Sequence, residues 1–115
     1  MDMNVGVYQI GKTDSEKAVT DPIKVIDTGS RGLSAVVMGK EKIYMGFFMG
    51  NDESANLQVH VYSLNYELVH KIVLDMEENM IYGMTLAHDE QYLICVHQQG
   101  LVTIINTHDY SFRHE

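Results

Sequence analysis

Short apolar runs alternate with polar turns along the chain. The runs are rich in Val, Ile, Leu, Tyr and Phe, and most are spaced by about 10 to 12 residues. No stretch of about a dozen residues places apolar groups at the i, i+3, i+4, i+7 spacing of an amphipathic helix without a turn. The pattern therefore predicts an all-β protein with strands near Val5–Ile10, Ile23–Ile26, Leu33–Met38, Ile43–Met49, Leu57–Leu64, Leu68–Leu74, Ile81–Ala87, Tyr92–His97, Leu101–Asn106 and, more weakly, Tyr110–His114.

Residues between the runs predict how neighbouring strands connect. Gly39–Lys42 and His88–Gln91 are short and polar, as expected of tight hairpin turns. Asn65–Tyr66 and Gln99–Gly100 fit two-residue hairpin loops, and Gly100 supplies the positive φ that such loops often need. Antiparallel pairing of successive strands follows from these short connections.

The apolar runs form an internal repeat of four strands. With an offset of 48 residues, Val37 falls on Thr85, and one residue of slippage in the following turn places Tyr44 on Leu93. Such a period is typical of architectures in which each repeat is one small sheet.

The third strand of the unit repeats most clearly. Val59–Leu64 aligns with Val102–Thr107 at an offset of 43, and Val5–Ile10 matches Val59–Leu64 almost residue for residue. We therefore predict a single domain of antiparallel β repeats. Its parts are the last two strands of a partial unit in residues 1–29 and complete units in residues 30–76 and 77–115.

Apolar residues occupy both faces of the predicted strands. In one strand Leu101 and Ile105 share a face, while Val102 and Ile104 share the other. A sheet with one hydrated face would alternate apolar and polar residues. The pattern therefore predicts four-stranded sheets that are covered on both sides, as the blades of a β-propeller are.

The order of strands and turns resembles that of WD40 repeats over nearly the whole chain. The resemblance is clearest in Met80–Thr107, MIYGMTLAHDEQYLICVHQQGLVTIINT, which is similar to the inner three strands of a WD40 blade. Tyr62-Ser63 and Ile105-Asn106 stand where the family carries its Trp-Asp pair. The resemblance implies a β-propeller-like fold that acts as a non-enzymatic scaffold for protein–protein interaction.

Composition narrows the classes of partner and compartment. A net charge of −8 disfavours nucleic acid and anionic membranes as partners, because an acidic chain repels phosphate. No run of about 18 apolar residues predicts a membrane span, and Met1–Asn4 lacks the segments of a secretory signal. The single cysteine, Cys95, lies in an apolar run. We therefore expect Cys95 to be buried and the protein to be cytoplasmic.

The sequence carries no motif that predicts catalysis, a cofactor or a metal site. It lacks the GxSxG and GxGxxG motifs and a P-loop. Six histidines are spread along the chain, and the predicted hairpins place His60 opposite Lys71 and His97 opposite Tyr82. Because these pairings separate the histidines, we predict no metal, no cofactor and no enzymatic activity.

Polar connections are the predicted contacts for a protein or peptide partner. The GNDESAN loop carries Asp52 and Glu53, and the GSRG connection carries Ser30 and Arg31. Loops on a rigid β frame commonly bind other molecules. We therefore predict these four residues as the partner-binding site.

Two alternatives remain open from the sequence. One is an enzyme or carbohydrate-binding propeller whose central pocket contains Ser34, Tyr82 and Thr85. The other concerns closure, because two and a half units cannot close a ring and would leave apolar faces exposed. Either the sequence belongs to a longer propeller, or copies assemble as a homo-oligomer.

Overall fold

Ten strands and one 3-10 turn make up the computed structural model, which describes residues 3–7, 24–30, 32–49, 56–74 and 81–115. The strands are β1 (Met3–Val7), β2 (Lys24–Ser30), β3 (Gly32–Met38), β4 (Lys42–Met49), β5 (Asn56–Ser63), β6 (Leu68–Val73), β7 (Ile81–Ala87), β8 (Tyr92–His97), β9 (Val102–Asn106) and β10 (Phe112–His114). The turn spans Gln98–Gly100. None of the helical structure in these ranges is long and apolar enough to cross a membrane.

The strands form three antiparallel sheets, each in chain order. β1 and β2 form a two-stranded sheet. The two four-stranded sheets are named the first sheet, with the order β3-β4-β5-β6, and the second sheet, with the order β7-β8-β9-β10. Within each sheet, strands that follow one another in the sequence are therefore neighbours in space. This confirms the predicted all-β class with antiparallel four-stranded units.

The connections differ in part from the predicted turns. Gly39 N–H donates to Lys42 O at 2.8 Å, and Gln91 N–H donates to His88 O at 3.1 Å, which confirms both tight turns. The two predicted two-residue loops are wrong, since each contains three residues. Their third residues, Tyr66 and Gly100, have φ of 64° and 78°. A left-handed residue at this position closes a three-residue hairpin loop, so only the positive φ of Gly100 was predicted correctly.

Strand registers support one histidine pairing and correct the other. His60 lies opposite Lys71, as predicted. His97 lies opposite Ile81 and not opposite Tyr82. The register shifts between Ile81 and Gly83, which makes Tyr82 the extra residue of a β-bulge. A hairpin loop fixes the register only as far as the first bulge, so the turn alone could not reveal this shift.

The main core lies between the first and second sheets. The first sheet contributes Tyr44 and Val61, and the second contributes Leu93, Cys95 and Ile105, all of them buried. Each large apolar side chain buried in this way contributes about 1.5–3 kcal/mol relative to exposure. Packing between the two sheets is therefore a large source of stability in the described structure.

The centre of the other face of the first sheet is buried as well. Ile43, Met45 and Phe47 from β4 pack there with Tyr62 from β5, and Phe47 is fully buried. From outside the two sheets, β2 is the described strand that approaches β4. Burial of β4 and β5 on both faces agrees with the predicted covering of the four-stranded units. The prediction does not hold in the same way for β9, because no described element covers its face with Val102 and Ile104.

Two β-bulges fix the repeat relation between the sheets. In β3 the register shifts between Leu33 and Ala35, and in β7 it shifts between Ile81 and Gly83, so the bulges lie 48 residues apart. Leu33 pairs with Phe47, whereas Ile81 pairs with His97. The second strands are therefore offset by 50 residues.

This offset corrects the alignment of Tyr44 with Leu93. Tyr44 pairs with Val37, whereas Thr85 pairs with Ile94, so Tyr44 corresponds to Ile94. Two residues of slippage occur in the hairpin where the sequence suggested one. The β7–β8 hairpin has two more residues between Thr85 and Ile94 than the β3–β4 hairpin has between Val37 and Tyr44. The apolar pattern alone did not resolve this difference.

Equivalent rows of the two sheets point in the same direction along the stack. In the first sheet the row Val37–Tyr44–Val61–His70 faces the second sheet. The equivalent row Thr85–Ile94–Ile104–Arg113 lies on the outer face of the second sheet, opposite to the buried Leu93 and Ile105. The two sheets therefore stack head to tail, as repeats of one kind do.

Two strand glycines provide a matched test of this packing. A Cβ on Gly46 would lie 2.8 Å from Cδ1 of the buried Ile81, whereas a Cβ on Gly83 would meet nothing within 4 Å. We expect Gly46→Val to lower the free energy of unfolding by about 1–3 kcal/mol through overpacking. Gly83→Val should change it by less than about 1 kcal/mol, since valine favours strands. Urea unfolding measures both, and equal losses would contradict the described interface.

Candidate interaction surfaces

The predicted partner-binding residues lie largely outside the described ranges. Arg31, Asp52 and Glu53 belong to segments that the structure does not describe. Ser30 is the last residue of β2, where it pairs with Met3. The GSRG connection is shorter than predicted, because its first two residues continue β2 and its last begins β3. The role of all four residues in binding stays a prediction.

The three residues of the alternative central pocket have different surroundings in the described structure. Ser34 Oγ donates a hydrogen bond to Gly46 O at 3.3 Å within the first sheet. Tyr82 is 68% exposed at the bulge of β7, and Thr85 is exposed on the outer face of the second sheet. Neither of the two cavities described below contains any of these side chains in its lining.

The outer face of the second sheet is an apolar surface that no described element covers; we call it the open face. Its central side chains come from β8 and β9. They are Tyr92, Ile94, Val96, Val102 and Ile104. At its edge Arg113 Nε lies 3.1 Å from Glu115 Oε1. A cavity of about 450 Å³ covers part of this face. The open face is thus apolar at its centre and charge-balanced at its edge.

A polar cleft lies where the tips of the first hairpins of the two sheets meet. The two carboxylate oxygens of Glu90 each accept a hydrogen bond from Lys40 N–H at 3.0 Å. Lys42 Nζ donates to Tyr110 Oη at 2.9 Å and lies 5.1 Å from the centre of that ring. The cleft has a volume of about 250 Å³. These contacts join the two sheets at one end.

The tip of the β7–β8 hairpin, which we call the second hairpin tip, has an unfavourable backbone conformation. His88, Asp89 and Glu90 have φ of 53°, 54° and 67°. Residues other than glycine adopt such angles at a cost of order 1–3 kcal/mol each. The bonds from Glu90 to the neighbouring sheet offset part of this cost.

Burial favours the neutral forms of the Cys95 thiol and the Tyr44 phenol. The buried Cys95 thiol has its pKa raised to about 12 by desolvation, which fits the predicted packing role. Burial also raises the pKa of Tyr44 to about 12, with smaller contributions from nearby Tyr110 and Glu90. Neither side chain is a nucleophile or base at neutral pH. Within the described ranges, no three His, Cys, Asp or Glu side chains cluster as metal ligands would.

A series of hydrogen bonds connects the buried His97 of the second sheet, through Thr103 and His114, to the first sheet. His114 Nε2–H donates to Leu74 O at 2.8 Å, and Thr103 Oγ1 lies 2.8 Å from His114 Nδ1. His97 Nε2 is 2.6 Å from Thr103 Oγ1. Burial, and then the proximity of His114, lowers the pKa of His97. These hydrogen bonds hold β10 beside Leu74, the residue that follows β6, and no sequence motif predicts them.

His60 is a second buried histidine, on the opposite face of the first sheet. Its Nε2–H donates to Gln58 Oε1 at 3.0 Å, and its ring lies 4.7 Å from that of Phe47. Nδ1 has no hydrogen-bond partner among the described residues. Burial, and to a smaller extent Lys71, lowers the pKa of His60 to about 4. The imidazole is therefore neutral in the folded protein near neutral pH.

Searches against protein-family models, curated proteins and solved structures found no match to the chain.

The two acids at the second hairpin tip form a matched pair of substitutions. Glu90→Ala removes both bonds to Lys40 N–H and should lower the free energy of unfolding by about 1–2 kcal/mol. Asp89→Ala removes only a highly exposed ion pair to Lys40 and should change it by less than about 0.5 kcal/mol. Chemical denaturation compares the variants, and a larger loss for Asp89→Ala would refute the role given to Glu90.

The depressed pKa of His60 predicts acid sensitivity. Its pKa is about 4 in the folded protein and near 6.5 when unfolded. The unfolded chain therefore binds an extra proton at His60 between these values, so the stability linked to His60 is complete above about pH 6.5 and falls by about 3 kcal/mol on reaching pH 4. His60→Gln should remove most of that loss relative to the wild type. The exposed control His108→Gln should leave it, and identical pH profiles of all three proteins would exclude His60 as the cause.

Proposed function

We propose that the chain is a non-enzymatic protein–protein interaction scaffold and forms part of a WD40-like β-propeller. The observation that supports this proposal is the head-to-tail stacking of two repeat-related four-stranded sheets. Repeats of this kind bury one another and present their ends and loops to other molecules. The expected location of the scaffold is the cytoplasm, as the single buried cysteine suggests.

The chemistry of the described residues favours binding over catalysis. The buried thiol and the buried phenol are both held in their neutral forms. The open face and the bridged hairpin tips instead provide a rigid frame with an apolar surface. Loops on such a frame are suited to peptide recognition, and Ser30, Arg31, Asp52 and Glu53 remain the proposed contacts.

The acidic residues of the predicted GNDESAN loop favour a basic partner. Asp52 and Glu53 lie in a chain of net charge −8, so a peptide that carries Lys and Arg would gain from charge complementarity. This contribution weakens as salt concentration rises. An acidic peptide would instead be repelled.

Thermal shift in the presence of defined ligands tests the proposal. Peptides containing Lys and Arg should raise the melting temperature by several degrees at saturating concentration, because ligand binding stabilises the folded state. A double variant, Asp52→Asn with Glu53→Gln, should lose most of this shift. The control double variant, Glu67→Gln with Asp89→Asn, removes the same charge elsewhere and should retain it.

The same assay addresses the alternative function. Monosaccharides, Ca²⁺ and Zn²⁺ should leave the melting temperature unchanged. A shift with any of these, and none with peptides, would replace the scaffold by a carbohydrate-binding or enzymatic propeller.

A further inference from the structure

We propose that the open face of the second sheet binds a second copy of this chain head to tail, with the β1–β2 end of that copy placed where a third sheet would follow. This inference rests on the proposed repeat scaffold and names the occupant of its apolar end.

The repeat relation identifies the open face as an interface. Its row Ile94–Ile104 is equivalent to Tyr44–Val61 of the first sheet, which the second sheet buries completely or nearly so. If the contact between the first and second sheets were repeated once more in the same direction, a further sheet would cover the open face. What fits there is another sheet that approaches as the second sheet approaches the first.

The chemistry of the open face suits a protein surface. Tyr92, Ile94 and Ile104 are only partly exposed, while Val96 is 42% exposed, so apolar area remains in contact with water. Arg113 and Glu115 neutralise each other at the edge. An acidic chain can meet a copy of itself here without bringing net negative charge into the contact.

The opposite end of the chain supplies the complementary unit. In β1–β2 Val5 pairs with Ile26 and Val7 with Lys24. In β5–β6 Val59, which the repeat aligns with Val5, likewise pairs with an isoleucine of the next strand, Ile72. The sequence of β1 also repeats that of β5. Each copy thus carries a repeat pair at one end and an open repeat face at the other, which are the two halves of a heterologous contact.

Solution mass measured by light scattering with size exclusion tests the assembly. The wild type should form a defined oligomer of at least two 13.1 kDa chains. Ile104→Lys places a charge at the centre of the open face and should reduce the mass at least twofold, to that of one chain. Val69→Lys makes the same change in charge at a strand residue that is 50% exposed on the first sheet, and should retain the oligomer. Far-UV circular dichroism establishes that both variants fold.

A mixing experiment distinguishes the head-to-tail contact from a symmetric one. The Ile104→Lys chain keeps its β1–β2 end, so it should still bind the open face of a wild-type chain and form a complex with one copy of each. If the two open faces instead packed on each other, the variant would not join the wild type, and that result would overturn the proposal.

Two further outcomes overturn the inference and separate it from the proposed function. A wild-type monomer whose open face binds the dye bis-ANS, with binding lost in Ile104→Lys, leaves the scaffold standing with a different protein as partner. A monomer that binds no dye removes both proposals. A heterogeneous aggregate also overturns the head-to-tail assembly, because it shows that copies of the chain do not complete one another.

Discussion

Contact between the two four-stranded sheets is the interaction on which the rest of the described structure depends. Tyr44 and Val61 meet Leu93 and Ile105 without access to water, and Gly46 leaves room for Ile81. Neither sheet could bury these side chains alone, since a single sheet has no partner for its apolar face. The orientation of the second sheet, and therefore the position of the open face, follows from this contact.

Polar bonds around the core fix how the sheets are aligned. Glu90 holds Lys40 N–H at the hairpin tips, and His114 holds Leu74 O across the stack. Between them the rings of His70 and Tyr110 stack at 4.5 Å. Apolar packing is non-directional, whereas hydrogen bonds demand defined geometry. These contacts offset the strain at the tip of the β7–β8 hairpin and hold the two sheets in one alignment.

Local signals predicted most of the strands and little of the candidate site. The weak run near the C-terminus is a strand that begins only at Phe112, because the preceding turn includes Tyr110 with a φ of 63°. The open face had a sequence signal, namely Val102 and Ile104 on the face opposite Ile105. The buried histidines had none, since the pairing of His97 with Thr103 and His114 depends on strand register.

The sequence by itself determined the all-β class, the order of strands in each sheet and the antiparallel units, because these depend on turns and on neighbours along the chain. Tertiary structure alone decided the bulge at Tyr82, the offset that aligns Tyr44 with Ile94, and which apolar face is covered. A one-residue change in register reverses the face of every later side chain, and only packing between sheets selects one register. Which surface is available to a partner is therefore a property of the stack.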